Sequence, residues 1–446
     1  MNLKKEAKKI YEQIKTLYQL IALKSIIVED ESKEIIETIE DLEKNILIHS
    51  QKFSIKDNIK EKSYYGSNNE RIFFQNENIK KSTDIINNIL QNKALYYFSK
   101  QDIIRPIVDT IIDMKDNKNE EQLMDKWYEF LSQPTNTYTI MHPIFNINFD
   151  NIVAIGPFKL QQKENLSIKD ISYNHKEALF LDKNYISIKI QAKSANRAKD
   201  LSTEYFLLFE DVSRYLLSDY NCYDVYIFSE KTLSFSDYKI LSDNNTLLQM
   251  EFSVGNSIKP LKITQLSDYD KKVWSLVTKY YRNKTYNETI SPIEQRLLRA
   301  IQFIGKANNT HFNANKYILY VFAIECLLSQ QSSGFITPSI SYQIAESCSF
   351  IIGENFEKYL KTPSALPPNI ETKKDYRSFL FKKAKKIYSN RSKYVHGNID
   401  GVTSEDLTSV IDFTNRLIYS FFTNEELLKL DNMEQLQEWI QDKKFS

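Results

Sequence analysis

The fold of the C-terminal part is decided by one stretch, Lys382-Lys-Ala-Lys-Lys-Ile-Tyr-Ser-Asn-Arg-Ser-Lys-Tyr-Val-His-Gly397. We predict that this stretch belongs to a long basic helix over residues 371–396. Gly397 directly follows His396, and glycine is favoured just past a helix end because it tolerates left-handed backbone angles. The predicted helix therefore ends on two residues of chemical interest, Arg391 and His396.

Arg391 and His396 are suited to cleaving RNA without a metal ion. Histidine is the side chain that gains and loses a proton near neutral pH, and arginine is a permanent planar cation that matches phosphate. His396 would remove the proton from a ribose 2′-hydroxyl or protonate the leaving 5′-oxygen. Arg391 would stabilise the charge that develops on the phosphate in the transition state.

The spacing of Arg391 and His396 sets a geometric condition on this chemistry. Side chains five residues apart point about 140° away from each other around an ideal helix, so they do not share a face. A helix end at Gly397 would free His396 to turn toward Arg391. A second copy of the helix could instead complete one site from two subunits.

The segment Ile387-Tyr-Ser-Asn-Arg-Ser-Lys-Tyr-Val-His-Gly-Asn398 resembles the signature of HEPN domains, which are all-helical modules of prokaryotic toxins and antiviral proteins. It is most similar to the Apea-like branch, in which an Arg-Ser-x-x-Val-His-Gly stretch occurs. The upstream segment Ala323-Ile-Glu-Cys-Leu-Leu-Ser329 is also similar to that branch, and its distance from the motif fits. The resemblance covers about residues 270–425.

The resemblance implies a metal-independent endoribonuclease that acts as a toxin or as an anti-phage effector of abortive infection. Arg391 and His396 correspond to the catalytic pair, and no cofactor or metal is expected. Asn390 and Glu325 are expected to be auxiliary; for Glu325, a carboxylate satisfied by a neighbouring lysine or tyrosine is an equal alternative. The family resemblance also implies a homodimer or higher homo-oligomer, formed through the HEPN domain.

Basic residues crowd the stretch that leads into the motif, and they predict a track for the RNA backbone. We expect RNA contacts from Lys383, Lys386 and Lys393, with affinity that falls as salt rises. A lysine run that is simply a solvated helix face is the alternative. Most of the 28 tyrosines and 26 phenylalanines are expected to pack in the core, but Tyr388 and Tyr394, beside the motif, are candidates for stacking on a base.

The periodicity of apolar residues predicts a multidomain, mainly α chain with three regions. Residues 1–135 form a helical N-terminal region, residues 136–267 an α/β middle domain, and residues 268–446 an all-α HEPN-like bundle. The N-terminal region is expected to sense a phage or stress signal. This expectation rests only on the order of the domains.

Local signals give the predicted elements of each region. The helices and strands that we predict cover residues 3–21, 35–46, 85–90, 111–131, 152–160, 185–191, 198–216, 224–228, 291–304, 315–330, 338–352 and 404–422. Strand 185–191, helix 198–216 and strand 224–228 would form a β-α-β unit. Ser291 and Pro292 mark a helix start, and Thr403 with Ser404 would cap the last predicted helix.

Composition excludes several other classes of protein. The three cysteines and five histidines are scattered, so neither a disulfide framework nor a metal site is predicted. Eight glycines without a phosphate-binding loop argue against a nucleotide-binding fold. The longest apolar run is too short to span a bilayer and contains Glu325, so we expect a cytoplasmic protein without membrane contact. A formal net charge of +1 means that RNA binding needs a local basic patch.

Two functions other than cleavage remain open from the sequence. The C-terminal bundle could hold a nucleic acid or a protein without cutting, or it could serve as a dimerisation unit for the N-terminal regions. Substitution of Arg391 and of His396 discriminates among these functions, because only the enzyme requires both side chains for RNA degradation.

Overall fold

The protein is mainly helical, with a small sheet in the middle of the chain, as the sequence predicts. The fold was obtained as a computed structural model. It describes residues 2–25, 81, 84–145, 147–149, 151–162, 184–217, 227, 239–241, 247–250, 261–262, 266–310, 312–329, 340–361, 370–395 and 401–445.

The chain divides into two compact units. The first contains residues 1–138 and 191–201, and the second contains residues 139–190 and 202–446. The predicted boundary at residue 135 lies close to the first division of the chain. The predicted boundary at residue 267 falls inside the second unit, so the middle strands and the C-terminal helices belong to one compact body.

The first unit is built from helices α1 (Leu3–Ser25), α2 (Lys100–Lys115) and α3 (Glu120–Ser132), with a short helical stretch at 84–90. Ser99 starts α2 through a capping box, because its hydroxyl accepts from the Asp102 amide and the Asp102 carboxylate accepts from the Ser99 amide. The core of this unit contains Ile14, Ile107 and Trp127, all less than 5% exposed. The helices predicted for residues 3–21, 85–90 and 111–131 are thereby confirmed, the last as parts of α2 and α3.

The middle of the chain forms strands and one long helix. The strands are β1 (Asn136–Pro143), β2 (Ile147–Asn148), β3 (Val153–Ile155), β4 (Phe158–Gln162), β5 (Asn184–Ala192), β6 (Lys239–Leu241), β7 (Leu247–Met250) and β8 (Leu261–Lys262). Helix α4 spans Ala195–Leu216. Six strands form one sheet in the order β3-β4-β5-β1-β6-β7, and β2 pairs with β8 in parallel.

The hairpin of β3 and β4 confirms the two short strands predicted around a turn at 152–160. Gly156 has a φ of +56° in this turn, a backbone angle that side chains disfavour. The pairs β3–β4, β4–β5, β1–β6 and β6–β7 are antiparallel. Strand 185–191 and helix 198–216 are confirmed, but the predicted third member of a β-α-β unit, residues 224–228, lies largely outside the described residues.

An aromatic cluster ties the sheet to the C-terminal helices within the second unit. Phe158 of β4 meets Phe209 of α4 edge to face, with ring centroids 5.1 Å apart. Phe209 in turn packs on Trp274, again with a centroid distance of 5.1 Å. Burying three large rings in one contact stabilises the joint strongly, which accounts for the absence of a division near residue 267.

The C-terminal part consists of helices. In chain order they are α5 (Asp268–Tyr286), α6 (Pro292–Asn308), α7 (Asn313–Leu328), α8 (Ile340–Gly353), α9 (Phe356–Leu360), α10 (Lys373–Val395), α11 (Ser404–Thr423) and α12 (Met433–Phe445). The predicted start of α6 is confirmed, because Ser291 caps it and Pro292 is its first residue. Thr403 caps α11 as predicted.

Helix α7 is the centre of this bundle because it is apolar on nearly every side. It packs against α6, α10 and α11. Arg296 of α6 stabilises its C-terminal end, donating from Nη1 to the carbonyls of Cys326 at 3.0 Å and Ser329 at 2.8 Å. These carbonyls have no partner inside the helix, so the arginine satisfies them and complements the helix dipole.

Helices α4 and α6 approach each other so closely that only glycine fits at one position. A Cβ atom on Gly305 would lie 2.2 Å from the carbonyl oxygen of Asp211. Asp211 is 5% exposed at this crossing, and burial raises its pKa to about 7. The charges of Lys306 and Arg214 oppose this rise. The crossing therefore holds an acidic group in surroundings that disfavour its charged form.

The helix predicted at 35–46 lies outside the described residues. Among the helices that the structure does describe, none combines the length and the apolar character needed to cross a membrane.

Candidate functional site

Helices α7 and α10 bring together the two segments on which the predicted site depends. The Tyr317 hydroxyl of α7 donates to the Ile387 carbonyl of α10 at 3.0 Å. The rings of Tyr317 and Tyr394 meet edge to face, with centroids 4.9 Å apart. These buried contacts fix the two helices against each other, so that Glu325 of α7 faces Arg391 of α10.

Arg391 lies beside Glu325 in an incomplete ion pair. Its Nε is 3.5 Å from Glu325 Oε1, but neither atom makes a hydrogen bond, since the pair lacks the required geometry. The guanidinium carbon lies over two rings, 5.7 Å from the centroid of Phe322 and 6.0 Å from that of Tyr388. The Arg391 side chain is 28% exposed, so it is held by its neighbours and remains accessible from solvent.

Glu325 contacts a tyrosine as well as the arginine. Burial raises the pKa of Tyr388, and the charge of Glu325 and a hydrogen bond to it raise that pKa further, whereas Arg391 lowers it. Both alternatives predicted for Glu325 therefore have support in the geometry: it faces Arg391, and it is also partly satisfied by a tyrosine. Its side chain is 19% exposed.

His396 and Gly397 lie outside the described residues, which end at Val395 and resume at Gly401. The convergence of His396 with Arg391 therefore stays a prediction.

Asp406 is the residue of this region that the sequence did not single out. Its Oδ1 accepts from Asn390 Nδ2 at 3.0 Å, and its Oδ2 accepts from the Tyr394 hydroxyl at 3.1 Å and from the Thr403 hydroxyl at 2.9 Å. Its amide donates to the Thr403 hydroxyl at 3.0 Å. We call Asp406, Asn390, Tyr394 and Thr403 the Asp406 node. A Thr-x-x-Asp pattern at a helix start predicts only the local cap, because the two α10 partners come from the tertiary fold.

The Asp406 node gives Asn390 and Tyr394 structural partners. Asn390 is 8% exposed, and its Nδ2 donates to Asp406. Tyr394 is 5% exposed, and burial together with Asp406 raises its pKa. A ring buried to this extent presents no face to a base, so the stacking predicted for Tyr394 is not available in this arrangement.

The three lysines predicted to contact RNA have different surroundings. Lys383 is 19% exposed and pairs with Asp412 at 3.1 Å. It borders an open groove of about 470 Å³ that includes neither Arg391 nor Glu325. Lys386 is 67% exposed and lies 3.8 Å from Asp406, while Lys393 is exposed. Lys386 and Lys393 are therefore open to a ligand, whereas the charge of Lys383 is already balanced.

Comparison of the chain with protein-family models, with curated proteins and with solved structures finds no match.

Proposed function

We propose that this protein is a metal-independent endoribonuclease of the HEPN type, acting as a toxin or anti-phage effector. The observation that supports this most is the α7–α10 contact. The two segments that resemble the Apea-like HEPN branch are distant in sequence, and they meet through Glu325 and Arg391, with 3.5 Å between Oε1 and Nε. If the sequence resemblance were coincidental, there would be no reason to expect these two segments to contact each other.

The chemistry proposed for the site divides between two residues. Arg391 binds a phosphate of the RNA and stabilises the negative charge that grows on it as the 2′-oxygen attacks. His396 transfers the proton, either from the 2′-hydroxyl or to the leaving 5′-oxygen. The attack forms a bond between the 2′-oxygen and phosphorus and breaks the bond between phosphorus and the 5′-oxygen. The products are a 2′,3′-cyclic phosphate and a free 5′-hydroxyl.

The loose pairing of Arg391 suits this role. An arginine locked in an ideal, buried ion pair would have to break strong hydrogen bonds before it could bind a phosphate. Here the Nε of Arg391 makes no hydrogen bond with Glu325, and the side chain remains partly exposed. A phosphate can therefore bind the Arg391 guanidinium without first breaking a strong hydrogen bond between Arg391 and Glu325.

The test is RNA degradation by the full chain in EDTA, with Arg391→Ala and His396→Ala measured separately. We expect each substitution to lower the cleavage rate by about 10²–10³, because each removes a group that acts in the transition state. Arg282→Ala is the matched control, since Arg282 is an exposed arginine of α5 that lies 4.0 Å from a carboxylate, Glu288. Cleavage that survives both substitutions contradicts the proposal.

A non-catalytic module that binds or dimerises is the second candidate. It is favoured by the partial satisfaction of Arg391 by Glu325, Phe322 and Tyr388, which a purely structural arginine would also show. RNA that is bound but never cut identifies this module as a binding protein. Loss of self-association on deleting residues after 270, without any effect on RNA, identifies it as a dimerisation unit.

A further inference from the structure

One face of α10 carries exposed lysines and serines. Two of them contact other helices: Lys385 lies 5.5 Å from the ring centroid of Tyr342 of α8, and Lys386 lies 3.8 Å from Asp406 of α11. The exposed residues of this face are Lys382, Lys385, Lys386, Ser389, Ser392 and Lys393. At about 100° per residue they fall within a sector of roughly 120° around the helix, and they extend over about 16 Å along its axis. We call them the lysine face. No acidic residue occurs between positions 382 and 393 to reduce its charge.

Several basic residues of α10 have acidic partners, and within the lysine face only Lys386 does, at 3.8 Å from Asp406. Lys373 and Arg377 both bind Glu354, at 2.8 Å and 2.6 Å, and Lys383 binds Asp412. By contrast, Lys382 and Lys393 have no ion pair within the part of the chain that the structure describes. The lysine face therefore carries two lysines, Lys382 and Lys393, whose charge no described acidic residue balances.

The composition of the lysine face favours a nucleic acid backbone over a membrane surface. Lysine ammonium groups and serine hydroxyls are the donors that proteins commonly direct at phosphate oxygens. A helix that lies on a membrane needs large apolar side chains beside its basic ones, and the lysine face has none. Val395, which is 45% exposed, lies outside the sector that the lysine face occupies.

The position of Arg391 constrains the form of the nucleic acid. On an ideal helix, Arg391 points about 160° away from the middle of the lysine face. One continuous strand that contacts both must therefore pass around a helix only about 10–12 Å wide. A duplex, with a persistence length of about 50 nm for DNA, is too stiff for such a turn, whereas a single strand can follow it.

We infer that the lysine face binds the backbone of single-stranded RNA and leads it to Arg391. This inference rests on the proposed ribonuclease function for the point at which the strand is cut. The binding itself requires only the lysine face, so binding and cleavage can be measured separately.

The experiment measures the binding of a fluorescent 2′-O-methyl single-stranded RNA to the full chain at several salt concentrations. This probe lacks the attacking hydroxyl, so cleavage does not interfere. The variant is Lys382→Ala with Lys393→Ala. The matched control is Lys279→Ala with Lys373→Ala, which removes the same charge from lysines that are paired with Glu294 and Glu354.

We expect the lysine-face variant to bind more weakly and to reduce the slope of log K against log salt by about 1.4, which corresponds to two lost phosphate contacts on a single strand. The control pair should keep the wild-type slope. Both variants should retain the wild-type unfolding midpoint, because all four lysines are at least 40% exposed or lie on the open face.

An unchanged slope in the lysine-face variant overturns the inference, as does an equal loss in the control pair. A duplex of the same sequence that binds as tightly, with the same dependence on Lys382 and Lys393, overturns the single-strand assignment. If the protein binds phosphatidylserine vesicles and this binding depends on Lys382 and Lys393 as strongly as RNA binding does, the assignment of the lysine face to RNA is also overturned. If the Arg391→Ala variant still cleaves RNA while the lysine-face variant shows the reduced salt slope, the ribonuclease proposal fails. The inference that the lysine face binds single-stranded RNA is then retained.

Discussion

Two carboxylates beside α10 hold their partners in different ways. Asp406 accepts hydrogen bonds at 2.9–3.1 Å from three side chains and thereby fastens α10 to the start of α11. Glu325 lies 3.5 Å from Arg391 without a hydrogen bond between them. Firm bonds suit a structural node, whereas a loose contact would leave Arg391 free to accept a phosphate in the proposed reaction. The difference supports a positioning role for Glu325.

Replacing Glu325 by glutamine tests this positioning role. Glutamine keeps the shape of the side chain and can still hydrogen-bond to Tyr388, but it no longer attracts Arg391. We expect kcat for RNA cleavage to fall about tenfold, since a small misplacement of a catalytic group is costly, while KM and the unfolding midpoint stay unchanged. Steady-state kinetics and thermal unfolding measure these quantities.

Glu288→Gln is the control for Glu325→Gln, because Glu288 also lies within 4.0 Å of an arginine, Arg282, but outside the α7–α10 contact. A fall in the unfolding midpoint, with kcat unchanged, would assign Glu325 to structure alone.

At the scale of elements, the crossing of α4 and α6 leaves no room for a side chain at Gly305. A Cβ on Gly305 would stand 2.2 Å from the Asp211 carbonyl oxygen, and that neighbour is backbone, which cannot rotate away. Alanine favours a helix over glycine by about 1 kcal/mol, but here the two helices would have to separate to admit it.

We therefore expect Gly305→Ala to lower the free energy of unfolding by about 1–3 kcal/mol, the usual cost of overpacking a core. Urea unfolding measures the change. Ser378→Ala on the exposed face of α10 serves as the control, and should leave stability within about 0.5 kcal/mol of the wild type. A stabilised Gly305→Ala variant would contradict the tight crossing.

A feature could be predicted from the sequence when the residues that determine it lie close together along the chain. The start of α6 was predictable because Ser291, Pro292 and Glu294 lie within one turn and make the cap themselves. The meeting of Glu325 with Arg391 was expected from the family resemblance. Gly305 gave no comparable signal, because its partner, Asp211, lies on another helix.

The same distinction explains the outcome at the candidate site. Lys383 and Lys386 are both lysines of α10, yet Lys383 pairs with Asp412 of α11 at 3.1 Å, whereas Lys386 lies 3.8 Å from Asp406 and is more exposed. These differences depend on how the two helices pack. Tyr394 similarly appeared available beside the motif, but Tyr317 and Asp406 bury it. Tertiary partners of this kind cannot be derived from spacing along one helix.

At the scale of the whole molecule, the buried Asp211 couples the stability of the second unit to pH. Its pKa is raised from 3.8 to about 7, chiefly by burial. The folded state therefore holds a proton that the unfolded state releases. The contribution of Asp211 to stability is largest below about pH 4, decreases as the pH rises toward 7, and is constant above that pH.

Asp211→Asn should remove this part of the pH dependence and raise the unfolding midpoint at pH 8 more than at pH 5. The gain at pH 8 is about 4 kcal/mol at most, since each unit of pKa corresponds to about 1.4 kcal/mol. Thermal unfolding at the two pH values measures it. Asp268→Asn is the control, because the Asp268 side chain is 93% exposed, and an equal response of both variants would contradict the assignment.

The Asp406 node also has a consequence for the motions of the second unit. The Asp406 side chain accepts hydrogen bonds from the last turn of α10 and lies in the first turn of α11. Opening either turn therefore breaks hydrogen bonds that also hold the other turn in place. The two turns therefore form one cooperative opening unit. Backbone amides in both turns should exchange with solvent deuterium at the same rate. That rate would report how often the C-terminal end of α10, which carries Arg391, separates from the rest of the bundle.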